Sequence, residues 1–404
     1  MNRRISFASR RPCAKTGFAL LTATAAALAS ALSGGCLSST GATPADGGPP
    51  GAHGDSGGGG GEDGGVADPG SNPLNADAIT YRDIATHPGC TTDGLAYPAA
   101  KIPGYKCAAK EYALSVPEDT TKPIVILVHG NSSTPADWEK FQAPSPAPPA
   151  IDMLSERLAA AGYRTYAVDM RNDKTDDPTT NDPKTGNPAH NMDHGWGVPI
   201  VSHLIESVIA ANPTRRIAIA GFSFGPTVIR DSLRRLHRAG AKPFEHVDTV
   251  ILASAANHGV SSFRTKCGDP TAPANVTMAG KVACEMGDRT AYVPTAFEKP
   301  LNGDGDAFDT PCADGSTAFG QSNACGGKKV RYTTIVMKDP GGGAPLQDEF
   351  VSEKSTFLIG ANNLTVDLAD QDQSLFFYNG HFKNHYGAIR SEKGLGLILG
   401  ALGQ

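Results

Sequence analysis

The pentapeptide Gly221-Phe222-Ser223-Phe224-Gly225 sets a serine between two glycines, after the strand-like run Arg216–Ala220 and before the helix-forming stretch Pro226–Arg238. A strand that turns into a helix within so few residues leaves no room for side chains at the turn. Glycine at both flanks removes them, and the turn then lifts the serine hydroxyl above the strand end. A hydroxyl held there becomes a nucleophile when a base takes its proton and fixed N–H groups receive the charge that develops on an attacked carbonyl oxygen. With the G-x-S-x-G pattern goes a chain order of serine, acid, histidine. His237, His246, His258, His381 and His385 follow Ser223, but only the last two come after a late strand, so the base is His381 or His385. The acid is Asp348, in Leu346-Gln347-Asp348-Glu349-Phe350-Val351, or Asp339, nearer the end of Val330–Met337. Either would orient the imidazole and stabilise its charged form. The expected oxyanion donors are the main-chain N–H groups of Phe224 and of Asn131, which follows His129-Gly130. Chain position excludes His129 from the role of base and makes it a loop residue.

These residues need a scaffold, and the chain supplies the periodicities of one. Pro123–Val128 is a continuous β-branched run suited to a strand buried on both faces. Tyr163–Val168, Arg216–Ala220, Val247–Ala253 and Val330–Met337 read as further strands. Helical stretches alternate with them at Ile151–Ala161, ended by Gly162, at Val198–Ala211 and at Pro226–Arg238, with Tyr386–Leu402 closing the chain. Strand and helix in alternation mean an α/β protein with a mostly parallel, doubly wound sheet covered on both faces.

Taken together, this set resembles the α/β-hydrolase superfamily and, within it, secreted bacterial lipases and esterases. The likeness spans roughly residues 110–404 and extends to Ala255-Ala256-Asn257-His258-Gly259, Val330–Thr334 and the stretch from Asp348 to Val351 running on through Phe357–Thr365. The resemblance implies a Ser223, Asp348, His385 triad, because the family's acid loop matches Asp348-Glu349-Phe350-Val351 and its base is followed as in His385-Tyr386-Gly387-Ala388-Ile389. His381, in Asn379-Gly380-His381-Phe382, is the alternative base. The chain departs from those lipases at Phe222, Phe224 and Pro226, and in a long segment between Gly259 and Lys329 that is expected to form a Cys-bearing cap.

The rest of the chain is of other material. Residues 1–35 carry Arg3, Arg4, Arg10, Arg11 and Lys15 without an acid and then an Ala-rich apolar stretch too short to span a bilayer, the pattern of an export signal. Leu32-Ser33-Gly34-Gly35-Cys36 resembles a bacterial lipobox with its leucine one step early, which makes Cys36 a lipidation candidate. From Cys36 to Pro73, 13 of 38 residues are glycine and 5 are proline, so residues 36–74 are expected to be a disordered tether and 75–404 the catalytic domain. Six further cysteines fall into local pairs, Cys90–Cys107, Cys267–Cys284 and Cys312–Cys325, as an oxidising compartment would permit.

Over all 404 residues, 36 Lys and Arg stand against 41 Asp and Glu, and without the signal cations 31 stand against 41, a balance that argues against a nucleic-acid partner. His190-Asn191-Met192-Asp193-His194 and Asn302-Gly303-Asp304-Gly305-Asp306 are weak metal motifs: Pro188 and Gly195 bracket the first, and the second lacks the terminal Glu of a calcium loop. No cofactor or metal is expected. Trp138, Trp196, Phe222 and Phe224 are candidates for an acyl pocket or for plain core. The leading expectation is an exported monomeric serine ester hydrolase acting on small-molecule, lipid or polymer esters, held near a membrane surface if Cys36 is acylated. The alternatives are a polyester or polyhydroxyalkanoate depolymerase and a non-catalytic surface lipoprotein.

Overall fold

Ile124–Val128 forms β2, with all five residues buried. Its side chains alternate between two cores: Ile124, Ile126 and Val128 join one cluster and Val125 and Leu127 the other, which is why the run has no polar member. The structure is a computed structural model. It describes residues 81, 83–87, 90, 92–131, 133–140, 151–170, 194–259, 301, 310–311, 318–319, 330–338, 348, 350–358, 361–367, 377–378, 381–382 and 384–404, all within the unit Gly65–Gln404. The export signal, the tether and Cys36 lie outside these residues, as do Asp339, His190, Asn302–Asp306, Cys267, Cys284, Cys312, Cys325 and most of the expected cap.

Among the described residues, seven strands make the central sheet. They are β1 (Ala109–Glu111), β2, β3 (Thr165–Val168), β4 (Ile217–Phe222), β5 (Val247–Ala253), β8 (Arg331–Met337) and β9 (Asn362–Val366), in the order β1-β3-β2-β4-β5-β8-β9. All pairings are parallel except β1 with β3. Two-residue strands form separate hairpins, β6 (Thr310–Pro311) with β7 (Ala318–Phe319) and β10 (Phe377–Tyr378) with β11 (His381–Phe382). The helices α2 (His194–Ala211) and α3 (Gly225–Arg238) share a core with Ile124, Ile126 and Ile219. On the opposite face α1 (Leu154–Ala160) and α6 (Glu392–Leu402) pack with Val125, Leu127 and Ile251.

The five strands and the helices expected from the sequence are present, with shifted ends. Helix α1 begins at Leu154 rather than Ile151, because Met153 caps it in extended conformation and its N–H is taken by the Glu156 carboxylate at 2.9 Å. Helix α2 starts four residues earlier than expected and carries Pro199 internally. The closing helix is interrupted: α5 (Gly387–Arg390) ends at Ser391, whose hydroxyl accepts the Gly394 N–H and starts α6. Strands β1 and β9 were not expected. Both are edge strands with exposed positions, so neither shows an apolar run.

The chain passes from β2 outward to β3 and returns across β2 to β4, so the winding reverses between β2 and β4. In a doubly wound sheet the crevice beyond the carboxyl ends of such a strand pair is where ligands bind. Strand β2 runs there into His129-Gly130-Asn131, and β4 into Ser223.

The disulfide Cys90–Cys107 is formed. It ties the segment that carries Tyr81 and Tyr97 to the sheet edge. The Tyr81 hydroxyl donates to Asp231 on α3 at 2.7 Å, and the Tyr97 hydroxyl to Asp169 behind β3 at 2.6 Å. Among the described residues, no helix is long and apolar enough to cross a membrane.

Candidate active site

Ser223 has φ +61°, in the left-handed region that residues with a side chain rarely enter. Such a conformation costs about 1–3 kcal/mol and persists only where the surroundings dictate it. Here they do. The Ser223 N–H donates to the carbonyl of Ala253 at the end of β5, at 2.9 Å. A Cβ at Gly225 would stand 2.5 Å from the Val128 carbonyl oxygen and 2.9 Å from that of His129, and one at Gly221 would stand 2.5 Å from Ile229 Cδ1 and 2.9 Å from Pro226 N. The glycines that flank the serine therefore mark close approach of α3 to β2 and β4. Gly225→Ala is expected to cost about 1–3 kcal/mol of unfolding free energy by overpacking against immovable backbone. An unchanged denaturant midpoint would contradict that account.

His385 lies in the 3₁₀ turn Asn384–Tyr386, just before α5, and is buried. Its Nε2 is 2.8 Å from Ser223 Oγ, and its Nδ1 is 2.8 and 2.9 Å from the two carboxylate oxygens of Asp348. The partners fix the tautomer: Nδ1–H donates to the carboxylate and Nε2 accepts from the serine hydroxyl. Asp348 Oδ1 also accepts the N–H groups of Phe350 at 2.9 Å and Val351 at 3.0 Å, which orients the carboxylate within its own turn. The rings of Phe222 and Phe350 flank the imidazole at 4.9 and 5.0 Å; Phe222 is buried and Phe350 is 38 % exposed at the rim.

The structure thus brings together Ser223, Asp348 and His385 from residues 162 and 37 positions apart in the chain. His381 pairs with Tyr378 in the hairpin β10–β11, and its side chain lies outside the described residues, as does that of Trp196. Trp138 and Phe224 belong to the core. His194, one end of the weak metal motif, is buried with Nε2 2.9 Å from the Thr227 hydroxyl and its ring edge-on to Phe224.

Beside Ser223, the loop after β2 presses close. A Cβ at Gly130 would stand 3.1 Å from Ser223 Cβ. His129 is structural: Nε2 accepts the Met170 N–H at 3.0 Å and Nδ1–H donates to the Gly130 carbonyl at 2.8 Å. The Gly130 N–H is already spent on Asp137 Oδ2 at 3.1 Å, so the next amide in the loop is that of Asn131. Phe224 caps the 14-residue α3, whose first-turn N–H groups have no partner within the helix and carry the positive end of its dipole. Main-chain N–H groups at the head of α3, next to a hydroxyl–imidazole–carboxylate chain, can receive charge on an oxygen while the hydroxyl attacks and the imidazole takes its proton.

Several supporting residues escaped the sequence reading. Ser254, at φ +45°, donates its hydroxyl to the His385 carbonyl at 3.0 Å and its N–H to the Ile335 carbonyl at 2.7 Å, pinning the histidine turn to β5 and β8. Arg230, fully buried on α3, donates to Asn257 Oδ1 at 2.9 Å and to the Leu301 carbonyl at 2.9 Å. Asn257 in turn donates to Thr356 in the short helix α4 (Glu353–Thr356), which follows the acid turn. Burial, with the Arg230 guanidinium nearby, pushes the His258 pKa down to about 3, so that imidazole is neutral at ordinary pH. The signal in the sequence is that Arg230 falls four residues after Pro226 and three before Leu233, on the apolar stripe of its helix.

No curated protein sequence matches this chain. Among solved structures, it is similar to the Bacillus licheniformis lipase BlEst2 in mature form, at 16 % identity and a TM-score of 0.44, over 74 % of this chain and 98 % of that one. It is also similar to the carboxylesterase CesB from Bacillus subtilis, at 13 % identity and TM-score 0.32 over 74 % and 92 % of the two chains. A third likeness is to the enol-lactonase from Burkholderia xenovorans LB400, at 12 % identity and TM-score 0.36 over 76 % and 100 %. The model of the alpha/beta hydrolase family matches residues 125–362, from the first parallel strand to the start of the last. With more than half of its 404 residues under that match, the chain belongs to the alpha/beta hydrolase family.

Proposed function

We propose that the protein is a serine carboxylic-ester hydrolase of the lipase or esterase kind, working through an acyl-enzyme. The observation that carries this reading is the unbroken hydrogen-bond chain from Ser223 Oγ through His385 to Asp348, with links of 2.8 Å and 2.8–2.9 Å. Ser223 Oγ attacks the acyl carbon as its proton passes to His385 Nε2, and the carbonyl oxygen becomes an oxyanion held by the N–H groups of Phe224 and Asn131. Asp348 accepts Nδ1–H throughout and stabilises the imidazolium. The tetrahedral intermediate collapses, the C–O bond to the alcohol breaks, and His385 Nε2–H gives its proton to the departing oxygen. Water then attacks the acyl-enzyme with His385 again as base, releasing the acid and restoring the Ser223 hydroxyl.

The signal-like residues 1–35, the Gly-rich residues 36–74 and the three cysteine pairs support export, with the catalytic domain from residue 75 held away from a surface and Cys36 as the acylation site. A panel of p-nitrophenyl esters of short and long acyl chains tests the reading. Wild type is expected to hydrolyse at least one of them, with Ser223→Ala at or near the uncatalysed rate. Equal turnover by the two proteins on every ester would overturn it.

A further inference from the structure

Between the loop that follows β2 and the helix that follows His385 lies a pair of buried charges. Asp137, 1 % exposed, accepts the Gly130 N–H through Oδ2, and its Oδ1 is 3.8 Å from Arg390 Nη2. Arg390, 3 % exposed, closes α5, and its guanidinium stands 4.2 Å over the ring of Tyr386, the residue next to His385. The Tyr386 ring meets Phe222 at 4.9 Å, and Phe222 lies under a Cβ placed at Gly130. The circuit returns to Ser223 through Gly130. It holds the only buried ion pair among the described residues that joins the loop of Asn131 to the turn of His385.

A carboxylate beside this loop has a cost. It accepts the N–H one peptide unit before that of Asn131, and in the proposed reaction a second negative charge develops at the Asn131 N–H when a carbonyl is attacked. Unscreened by water, a bare Asp137 carboxylate would oppose that oxyanion. We infer that Asp137 and Arg390 are positioning residues for ester hydrolysis: Asp137 withdraws the Gly130 N–H so that the loop offers Asn131 to the oxyanion, and Arg390 cancels the charge Asp137 would otherwise project onto it. The inference rests on the proposed reaction. It extends that reaction by giving a defined electrostatic task to two groups that do not touch the substrate.

Charge sign separates this role from simple packing. Arg390→Gln and Asp137→Asn break the same pair but leave opposite charges behind, and the Asn side-chain oxygen still accepts the Gly130 N–H. In the full-length protein, Arg390→Gln is expected to lower kcat at least about tenfold with KM changed less than about threefold. Asp137→Asn is expected to keep at least about threefold more kcat than Arg390→Gln, because it leaves a positive rather than a negative charge beside the loop, and the double variant to recover to at least that level. Equal losses from the two single variants, or a double variant no better than Arg390→Gln, would overturn the inference.

Hydrogen exchange at the Gly130 amide supplies a readout without turnover. Protection is expected to persist in Asp137→Asn and to be lost in Asp137→Ala. Persistence in Asp137→Ala would show that the carboxylate does not hold the loop. A wild type that turns over no ester defeats the proposed reaction, and the exchange result still decides the loop contact.

Discussion

Replacing His385 by alanine is expected to lower kcat on a carboxylic ester by about 10⁵–10⁶-fold, while His381→Ala stays within about threefold of wild type. The size follows from what the imidazole does. Its Nε2 stands 2.8 Å from Ser223 Oγ, placed to accept the hydroxyl proton, so without it a hydroxyl with the acidity of an alcohol must attack unaided. In the proposed reaction the same nitrogen later protonates the leaving oxygen, and both steps fail together. His381 stands four residues earlier, in a two-residue strand paired with Tyr378, ahead of the turn Asn384–Tyr386 that carries His385. Steady-state kinetics on the best ester decides the matter, with circular dichroism to establish that both variants fold. Loss of turnover in His381→Ala alone would transfer the role of base.

Asp348→Asn is expected to cost about 10⁴-fold in kcat with little change in KM. Two main-chain N–H groups, of Phe350 and Val351, point at Asp348 Oδ1. In the asparagine variant they hold the amide oxygen at that position, which puts the NH₂ group where Oδ2 stands, 2.8 Å from His385 Nδ1. An NH₂ cannot face an N–H at that distance, and the amide oxygen, 2.9 Å from Nδ1, is already taken by two main-chain N–H groups, so Nδ1 turns acceptor and the ring proton moves to Nε2. The imidazole then faces Ser223 with a proton in place of a lone pair and cannot act as base. The geometry of the site stays intact while its tautomer is inverted. A crystal structure of the variant that superimposes on wild type, with kcat nonetheless within tenfold, would contradict the role given to Asp348.

Much of the scaffold could be read in the sequence because its central strands are buried on both faces. Ile124–Val128 is buried throughout and Val247–Ala253 at every position but Asp248, so their runs are largely apolar and stand out. The two glycines around Ser223 were legible for the same kind of reason, since a backbone approach that excludes a Cβ leaves only one residue type. Edge strands leave weaker traces: β1 is Ala-Lys-Glu and β9 opens on two exposed asparagines. Gly195 brackets the motif of residues 190–194 in the sequence, yet α2 begins at His194 and runs on through Pro199, because its buried face, from Val198 to Val208, outweighs one missing hydrogen bond.

The site divides along similar lines. Ser223 announces itself through local sterics, whereas the choice among histidines and acids needed the chain order and the family likeness, and their meeting is a property of the fold. The supporting groups were not legible. Asp137, Ser254, Asn257 and Arg390 are polar residues that a pattern assigns to the surface, and only tertiary contacts reveal that each is buried against a partner, whereas Arg230 at least falls on the apolar stripe of its helix.

A p-nitrophenyl alkylphosphonate tests the central claim most directly, because attack on phosphorus releases p-nitrophenol and leaves a stable Oγ–P bond that imitates the tetrahedral intermediate. The account predicts that mass spectrometry of the labelled protein finds one phosphonyl group, on the peptide carrying Ser223, with none on Ser223→Ala and markedly slowed labelling of His385→Ala. Label on Ser223→Ala at the wild-type rate, or a folded wild-type protein that takes up none, would contradict it.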